Sequence, residues 1–427
     1  MNKIVVPLLL LCACFTAQAS NSTSDSAGQA PNPVVQWNRT LLVIVRTPGA
    51  QSATIHPTRS FAMMHAAIYD AVNSIDRTHS PYLVRIAHIS RRASEDAAAD
   101  TAAHDVLVAL YPAFQATLDA QLQQLLAQIP EGAHKDQGIS IGQLVADTVL
   151  DARSADGSAT PPPAFVFGTA PGDFQSTPPN FPKPQFTGWS KVTPFALESA
   201  SQFRPGPPPD LQSDTYADDL NEVKSLGIVN STTATADQAL TGSFWNGAIQ
   251  NYWNEIAQTA VLAAGLTIPE SARLFALLNL TFADDVIAFY DAKYTYNFWR
   301  PVTAIRAADT DNNPETVADP NWLPEVGKTT PDPSYPGAHA VISGSGGFLL
   351  RSFFEQDQFN FNVTSEVLPG VERSFSSFSA AAQEATLSRI FAGVHFRTDL
   401  TIGKDLGEDV AHFVLEHFLQ PTGRRRE

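Results

Sequence analysis

The sequence predicts an all-α fold, a packed helical bundle interrupted by one proline-rich insertion, on three observations. Apolar residues recur three and four apart, as at Phe61, Met64, Ala67, Ile68 and Ala71, the period of a helix with one buried face. Alternation of period two never persists convincingly beyond five residues, so few strands are expected. Residues 155–211 carry Pro161-Pro162-Pro163, Pro178-Pro179 and Pro207-Pro208-Pro209, a density of proline that neither helices nor central strands accept.

In order, the chain opens with Lys3, an apolar run from Ile4 to Cys14, and Ala17-Gln18-Ala19 before Ser20, the pattern of a secretory signal over residues 1–19. A lipoprotein signal on Cys14 fits less well, because Leu11-Cys12-Ala13 matches that pattern poorly. The run is too short to span a bilayer and no later stretch is apolar for long enough, so a secreted or periplasmic protein without a membrane span is expected. Residues 20–36 are small and polar and read as a disordered start. An N-terminal helical region, 37–154, follows, with helices predicted over 57–72 and near 94–111, 113–129 and 134–153, where Ala, Leu and Gln dominate. The 155–211 insertion reads as a long ordered excursion or lid. The C-terminal helical region, 212–420, has helices predicted near 212–225, 249–264, 269–293, 303–308, 338–355, 379–392 and 400–418. Its polar loop at 309–330 contains Asp311-Asn312-Asn313 as turn material and lacks the Gly and Glu spacing of a calcium loop.

At 427 residues, 44% hydrophobic and 16% charged, the chain is able to bury a large core. Both cysteines, Cys12 and Cys14, fall in the signal, so the mature chain relies on packing without disulfides. Without Lys3, 26 basic residues face 43 acidic ones, a formal charge of −17, which argues against nucleic acid and anionic membrane surfaces as partners. Five glycosylation sequons occur, at Asn21, Asn38, Asn230, Asn279 and Asn362; Asn279 lies in an apolar helical run and is expected to be buried. Oligomeric state is not legible in the sequence.

Against that acidic background, the cations of the last third stand out. Lys293 and Arg300 are seven apart, which places both on one face if the helix continues. Their neighbours Tyr290, Tyr294, Tyr296, Phe298 and Trp299 favour burial, and a buried cation needs an anionic partner. Asp284, Asp285 or Asp291 would supply it in an ion-pair network; a bound oxyanion would supply it in a site. The stretch Pro333–Ala340 is a proline-stiffened turn that releases into a helix, so Gly337 and Ala338 would offer free N–H groups at a helix start. Gly393 is predicted to end the helix carrying Arg389, with His395 in the loop beyond. Asp399 then either caps the next helix or accepts a hydrogen bond from the His395 ring, fixing its tautomer. His339 taken alone is a helix-start histidine, and His65, His412 and His417 read as structural.

Three motifs, Lys-x6-Arg-Pro from Lys293, Pro-x-x-His ending at His339, and Ser-Arg-x5-His-x3-Asp ending at Asp399, span residues 293–399. Together they resemble the superfamily of vanadium-dependent haloperoxidases and type-2 phosphatidic acid phosphatases. Phe61–Asp70 and Phe298-Trp299-Arg300-Pro301 are similar to its larger, soluble haloperoxidase-like branch. The resemblance implies a helical bundle of the haloperoxidase/acid phosphatase type. It implies that Lys293, Arg300 and Arg389, with Gly337 and Ala338, hold the oxygens of vanadate or phosphate. His395 would bind vanadium or attack phosphorus, His339 would act as acid–base residue, and Asp399 would orient His395. Vanadate is then the cofactor, with hydrogen peroxide and a halide as substrates. The alternative is an acid phosphatase with no cofactor, acting on a phosphate ester through a phosphohistidine. A third reading is a non-catalytic oxyanion-binding helical protein.

Two positions depart from the family pattern. The Ser-Gly pair that directly precedes the Pro-x-x-His histidine is Gly337-Ala338 here, which removes one hydroxyl, a loss of ~1–3 kcal/mol where it is buried and unreplaced. Ser334, three residues upstream, is expected to be too far to substitute. The position seven before His339, aromatic or His in characterised branches, is Asp332, and an ionised carboxylate there would repel a halide.

Overall fold

The computed structural model describes residues 32–423. Thirteen α-helices run through them: α1 Pro33–Arg46, α2 Pro57–Asp76, α3 Glu95–Leu110, α4 Gln115–Leu126, α5 Ala133–Arg153, α6 Asp214–Leu226, α7 Ala236–Phe244, α8 Ile249–Ala264, α9 Ile268–Tyr296, α10 Pro301–Arg306, α11 Ala338–Phe353, α12 Phe378–Phe391 and α13 Arg397–His417. One antiparallel hairpin, β1 Gln358–Thr364 with β2 Glu372–Ser377, joins α11 to α12. The fold is all-α, as the periodicity predicts.

Helix α9 is the axis. From Ser271 to Tyr290 every residue except Arg273 is buried, and a helix apolar on all sides belongs in the middle of a bundle. A capping box opens it, Thr267 Oγ1 accepting from the Glu270 amide while Glu270 accepts from the Thr267 amide. Helices α2 and α11 pack on it from either half of the chain, with α1, α8 and α13 around them. Close approach in the C-terminal half depends on small residues. At Gly407 of α13, a Cβ would stand 2.0 Å from the Val341 carbonyl oxygen of α11, so only glycine lets the two helices meet there. That contact draws the start of α13, with Asp399, against the start of α11.

Four expectations change. The start read as disordered through residue 36 is helical from Pro33: Asn32 Oδ1 accepts from the Val34 amide at 3.0 Å, Pro33 occupies the first turn, and Trp37, Leu41, Leu42 and Ile44 are buried. The signal and the rest of that start, to residue 31, lie outside the described residues. Helix α7 falls between two predicted helices, opened by a Thr235–Gln238 capping box. The hairpin was hidden because only half of its alternation is apolar: Phe361 and Val363 are buried beside exposed Asn360 and Asn362. Finally, α9 does not continue to Arg300; it ends at Tyr296 with Asn297 in the left-handed region at φ 52°.

Residues 155–211 hold no α-helix, only one 3₁₀ turn at Trp189–Lys191, yet they are anchored. The Asp284 carboxylate, buried in α9, accepts from the amides of Phe195, Ala196 and Leu197 at 2.6–2.7 Å. The tip of the excursion is fastened further along, where the Gln185 amide donates to the Pro331 carbonyl at 3.0 Å.

Candidate active site

The break after α9 builds the first part of the site. Lys293 occupies the last turn of α9, and three residues beyond the left-handed Asn297, Arg300 takes an extended backbone ahead of Pro301. The two cations therefore converge through a chain reversal and not through helical phase. Lys293 Nζ donates to the Pro333 carbonyl and to that of Ser334 at 3.1 Å, and lies 3.6 Å from Asp332 Oδ1. Arg300 donates through Nε to the Asp332 carbonyl at 2.8 Å, through Nη2 to the Asp332 carboxylate, and through Nη1 to the Val394 carbonyl at 2.9 Å.

Asp332 is thus the anionic partner of both cations. The carboxylates proposed for that role are engaged elsewhere: Asp284 with backbone amides, Asp285 with Ser345 Oγ at 2.5 Å, and Asp291 with Arg204 at 2.5 Å. Burial works upward on the Asp332 carboxyl, but Lys293 and Arg300 overcome it and hold the group below the usual carboxylate range. Burial likewise pushes the Lys293 ammonium down to about 8, against the pull of Asp332.

The second part is the imidazole of His395. Helix α12 ends in a Schellman turn, the Val394 amide donating to the Arg389 carbonyl at 3.0 Å and Gly393 to Ile390 at 2.9 Å, with Gly393 at φ 78°. His395 follows directly. Its Nδ1 donates to Asp399 Oδ2 at 3.0 Å, and the same oxygen accepts from the Phe396 amide at 3.0 Å and from Ser334 Oγ at 2.5 Å. Asp399 therefore both caps α13 and orients the ring. Nε2 is left as the acceptor nitrogen, 3.0 Å from Arg300 Nη1. Burial, with Arg300, Lys293 and Arg389 close by, holds His395 well below the ordinary imidazole range, so the ring is neutral. Burial pushes the Asp399 carboxyl up to about 6, opposed by its Ser334 and Phe396 bonds.

The third part faces a cavity. His339, in the first turn of α11, donates from Nε2 to the Trp245 carbonyl at 3.0 Å, which leaves Nδ1 as its free acceptor. Burial and Arg389 hold its pKa well below the ordinary value. Arg389 is 4% exposed; Nη2 donates to Asn246 Oδ1 at 3.2 Å, and neither Nε nor Nη1 has a partner. Burial and the neighbouring Arg300 push its pKa down to about 9. His339 and Arg389 line a cavity of about 430 Å³, whose wall also includes Asn246, Thr330, Pro331 and Val394 and contains no carboxylate.

The structure brings Lys293, Arg300, Arg389, His339, His395 and Asp399 into one cluster. It corrects the reading of Gly337 as a free donor. That residue caps α11 and its amide donates to the Asp399 carbonyl at 2.9 Å, because Gly407 lets α13 come so near. The Ala338 amide, the first of the helix, has no acceptor within the turn. Ser334 does not stand in for the missing serine hydroxyl; it braces Asp399. Asp332 is absent from the cavity wall, so the expected repulsion of a halide is cancelled at its source by the two cations it serves. Trp245 and Asn246 went unnoticed in the sequence, since nothing local to the α7–α8 connection signals a contact with residues 94 and 143 positions away.

A tetrahedral oxyanion fits these residues. Two buried guanidinium nitrogens of Arg389 lack any acceptor, and three cations against the carboxylates of Asp332 and Asp399 leave one positive charge uncompensated beside a neutral imidazole. Among the described residues no cluster of three His, Cys, Asp or Glu side chains is set to hold a bare metal ion.

Comparisons with known proteins show what the chain is similar to. A family model described as the VCPO second helical-bundle domain matches residues 273–423. Vanadium chloroperoxidase from Curvularia inaequalis is 24% identical over 303 residues, covering 53% of this chain and 49% of that protein; the chain spans about half the length of this relative. A bacterial vanadium-dependent iodoperoxidase superposes with a TM-score of 0.78 at 24% identity, over 94% of this chain and 99% of that one. A bacterial vanadium-dependent chloroperoxidase in its holo form gives 0.63 at 16% identity, over 93% and 96%. Motifs, family match and shared fold concur: residues 273–423 match the family model of a vanadium chloroperoxidase helical-bundle domain, and the described chain has the fold of the vanadium haloperoxidases.

Proposed function

We propose that this protein binds vanadate and uses hydrogen peroxide to oxidise a halide. The observation that carries the reading is the buried Arg389 guanidinium, with two nitrogens unpartnered, beside the neutral His395. The family supports it, as do relatives whose names record chloride and iodide peroxidation. Export from the cytoplasm, inferred from the signal at residues 1–19, belongs to the same reading.

In this reading Arg389 and the Ala338 amide supply the free donors for the oxyanion, and Lys293 and Arg300 supply fixed positive charge in a dry site. Arg offers paired donors in a plane, Lys a point charge. Bound vanadate supplies a Lewis acid that polarises peroxide. His395 would hold the vanadium through Nε2, whose lone pair accepts from Arg300 Nη1 in this structure and would exchange that donor for the metal. Asp399, fixed by Ser334 and the Phe396 amide, keeps the proton on Nδ1 so that this lone pair stays available. A halide and hydrogen peroxide take up one proton in yielding hypohalous acid and water. His339, a wall residue of the cavity whose Nε2 donates to the Trp245 carbonyl, is the group to move that proton. The carboxylate-free cavity wall admits an anion to that face.

The test is a paired assay on purified protein. With vanadate, peroxide and either iodide or bromide, oxidised halogen is expected to appear, to depend on vanadate, and to vanish in His395→Ala. Hydrolysis of an aryl phosphate that vanadate inhibits, without halide oxidation, would replace this reading by the phosphatase one.

A further inference from the structure

The donors of the oxyanion site are not equally free. Arg300 already engages four of its five N–H groups: Nε with the Asp332 carbonyl at 2.8 Å, Nη1 with the Val394 carbonyl at 2.9 Å and with His395 Nε2 at 3.0 Å, and Nη2 with the Asp332 carboxylate. Lys293 donates to the carbonyls of Pro333 and Ser334, and its ammonium stands 3.6 Å from Asp332 Oδ1. Arg389, by contrast, keeps Nε and Nη1 without a partner. A guest therefore finds one cation open and two already shared with Asp332.

That carboxylate is built into its place. Asp332 is 4% exposed, its amide donates to the Thr330 carbonyl at 2.9 Å, and the Tyr290 hydroxyl donates to Oδ2 at 3.4 Å while Oδ1 meets the two cations. Arg300 grips Asp332 by backbone and side chain at once, so the negative charge stays beside the site when a guest arrives.

In a dry interior such a charge is felt at range. Repulsion between buried charges scales with the product of the charges and falls only with distance and effective dielectric. An oxyanion that shares Lys293 and Arg300 with Asp332 is thus repelled in proportion to its own charge. Three cations less the carboxylates of Asp332 and Asp399 leave one positive charge, which a singly charged guest neutralises and a doubly charged guest overshoots. An aromatic residue at this position, as in the family pattern, would leave two.

We propose that Asp332 is a specificity-determining residue whose carboxylate tunes the oxyanion site to a singly charged tetrahedral ion and against a doubly charged one. This rests on the oxyanion-binding part of the haloperoxidase reading. Dihydrogen vanadate, the main form of dilute vanadate near neutral pH, is singly charged, whereas a phosphate monoester above its second pKa of about 6 is doubly charged. Asp332 therefore favours vanadate over the substrates of a phosphatase built on the same residues.

Isothermal titration of the full chain with tungstate and perrhenate near neutral pH tests it. Both ions are tetrahedral and similar in size, and their charges, two and one, are fixed there. Asp332→Asn keeps the shape of the side chain and is expected to tighten perrhenate about fivefold and tungstate about 25-fold, the square of that factor, because the repulsion scales with the charge of the guest. That variant strands two buried cations in the free protein, so the same substitution is also made in Lys293→Met, where it strands only Arg300; there too tungstate is expected to gain more than perrhenate. A tungstate-to-perrhenate affinity ratio that Asp332→Asn leaves unchanged, or moves toward perrhenate, overturns the proposal and leaves the oxyanion site standing. If wild type and variants alike bind neither ion, the site and the proposal fall together. The expected ratio in a protein that oxidises no halide upholds the role of Asp332 and sinks only the haloperoxidase reading.

Discussion

Two clusters of buried arginine lie among the described residues, and they are finished to different degrees. At the end of α5, Arg59 and Arg153 share one oxygen of Asp156 at 2.7 and 3.0 Å. Their remaining contacts are carbonyls of Arg153, Thr193 and Pro194, at 2.5–3.1 Å, and Arg153 lies 3.7 Å from the Phe195 ring centroid. No nitrogen of either guanidinium is left buried and unpartnered. Around His395, one carboxylate serves Lys293 and Arg300, and Arg389 is left over with a single side-chain acceptor. Both clusters are buried, Arg59 and Arg153 at 7–8% exposure and Lys293, Arg300 and Arg389 at 0–4%, so burial favours partners more strongly in the second cluster, which has fewer. What separates them is completion: a structural ion pair satisfies itself, whereas a binding site leaves donors over for its guest.

The comparison breaks most readily at the finished cluster. Asp156→Ala strands two buried cations, and losing one member of a buried network costs about 3–5 kcal/mol. Chemical denaturation is expected to show a loss of that order, with the excursion anchor at Thr193 and Pro194 loosened. A loss below about 1 kcal/mol would show that this cluster is no more self-sufficient than the other.

Arg389→Met probes the unfinished one and is expected to have the opposite signature. It removes a buried cation that has no carboxylate, so unfolding free energy should stay level or rise. Affinity for vanadate should fall about a hundredfold, the worth of one or two charge-assisted hydrogen bonds. Isothermal titration and denaturation on the same preparation check both halves. If the variant loses stability while keeping vanadate affinity, Arg389 is a structural residue.

How far the sequence revealed this contrast depended on range. The His395–Asp399 pair is four apart across a helix start, and the Gly393 turn is local, so both were legible along with the helical period of α9 and α13. The partner of Arg300 was not. Asp332 was noticed only as a departure near the halide, because its pairing requires the chain to reverse after Asn297 and return 32 residues later. Ser334 reaches Asp399 across 65 residues, and Gly337 lost its free amide to a neighbour that only the glycine-dependent contact of α11 with α13 could bring close. Local signals place elements, and long-range pairing decides which donors remain.

The smallest expected effect follows from Lys293, and it separates the clusters by pH. Its folded-state pKa is about 8 against an ordinary 10.5. Between those values the unfolded chain keeps the proton and the folded chain has lost it, so the free protein gains stability as pH rises through that window. Below about 8 both states are protonated and the cost of the buried charge is constant. Oxyanion affinity must move the other way, because the guest needs the ammonium. For Lys293 alone, binding should be about twofold weaker at pH 8 than at pH 6 and about tenfold weaker at pH 9. Tungstate is the suitable probe, since its charge does not change over that range. Asp156, held below its ordinary range mainly by Arg59 against burial, contributes stability that is lost only as pH falls through its folded-state value, at the acid end. Tungstate titrated from pH 6 to 9 thus reads the unfinished cluster alone. A flat affinity across that range would place the Lys293 ammonium outside the oxyanion site.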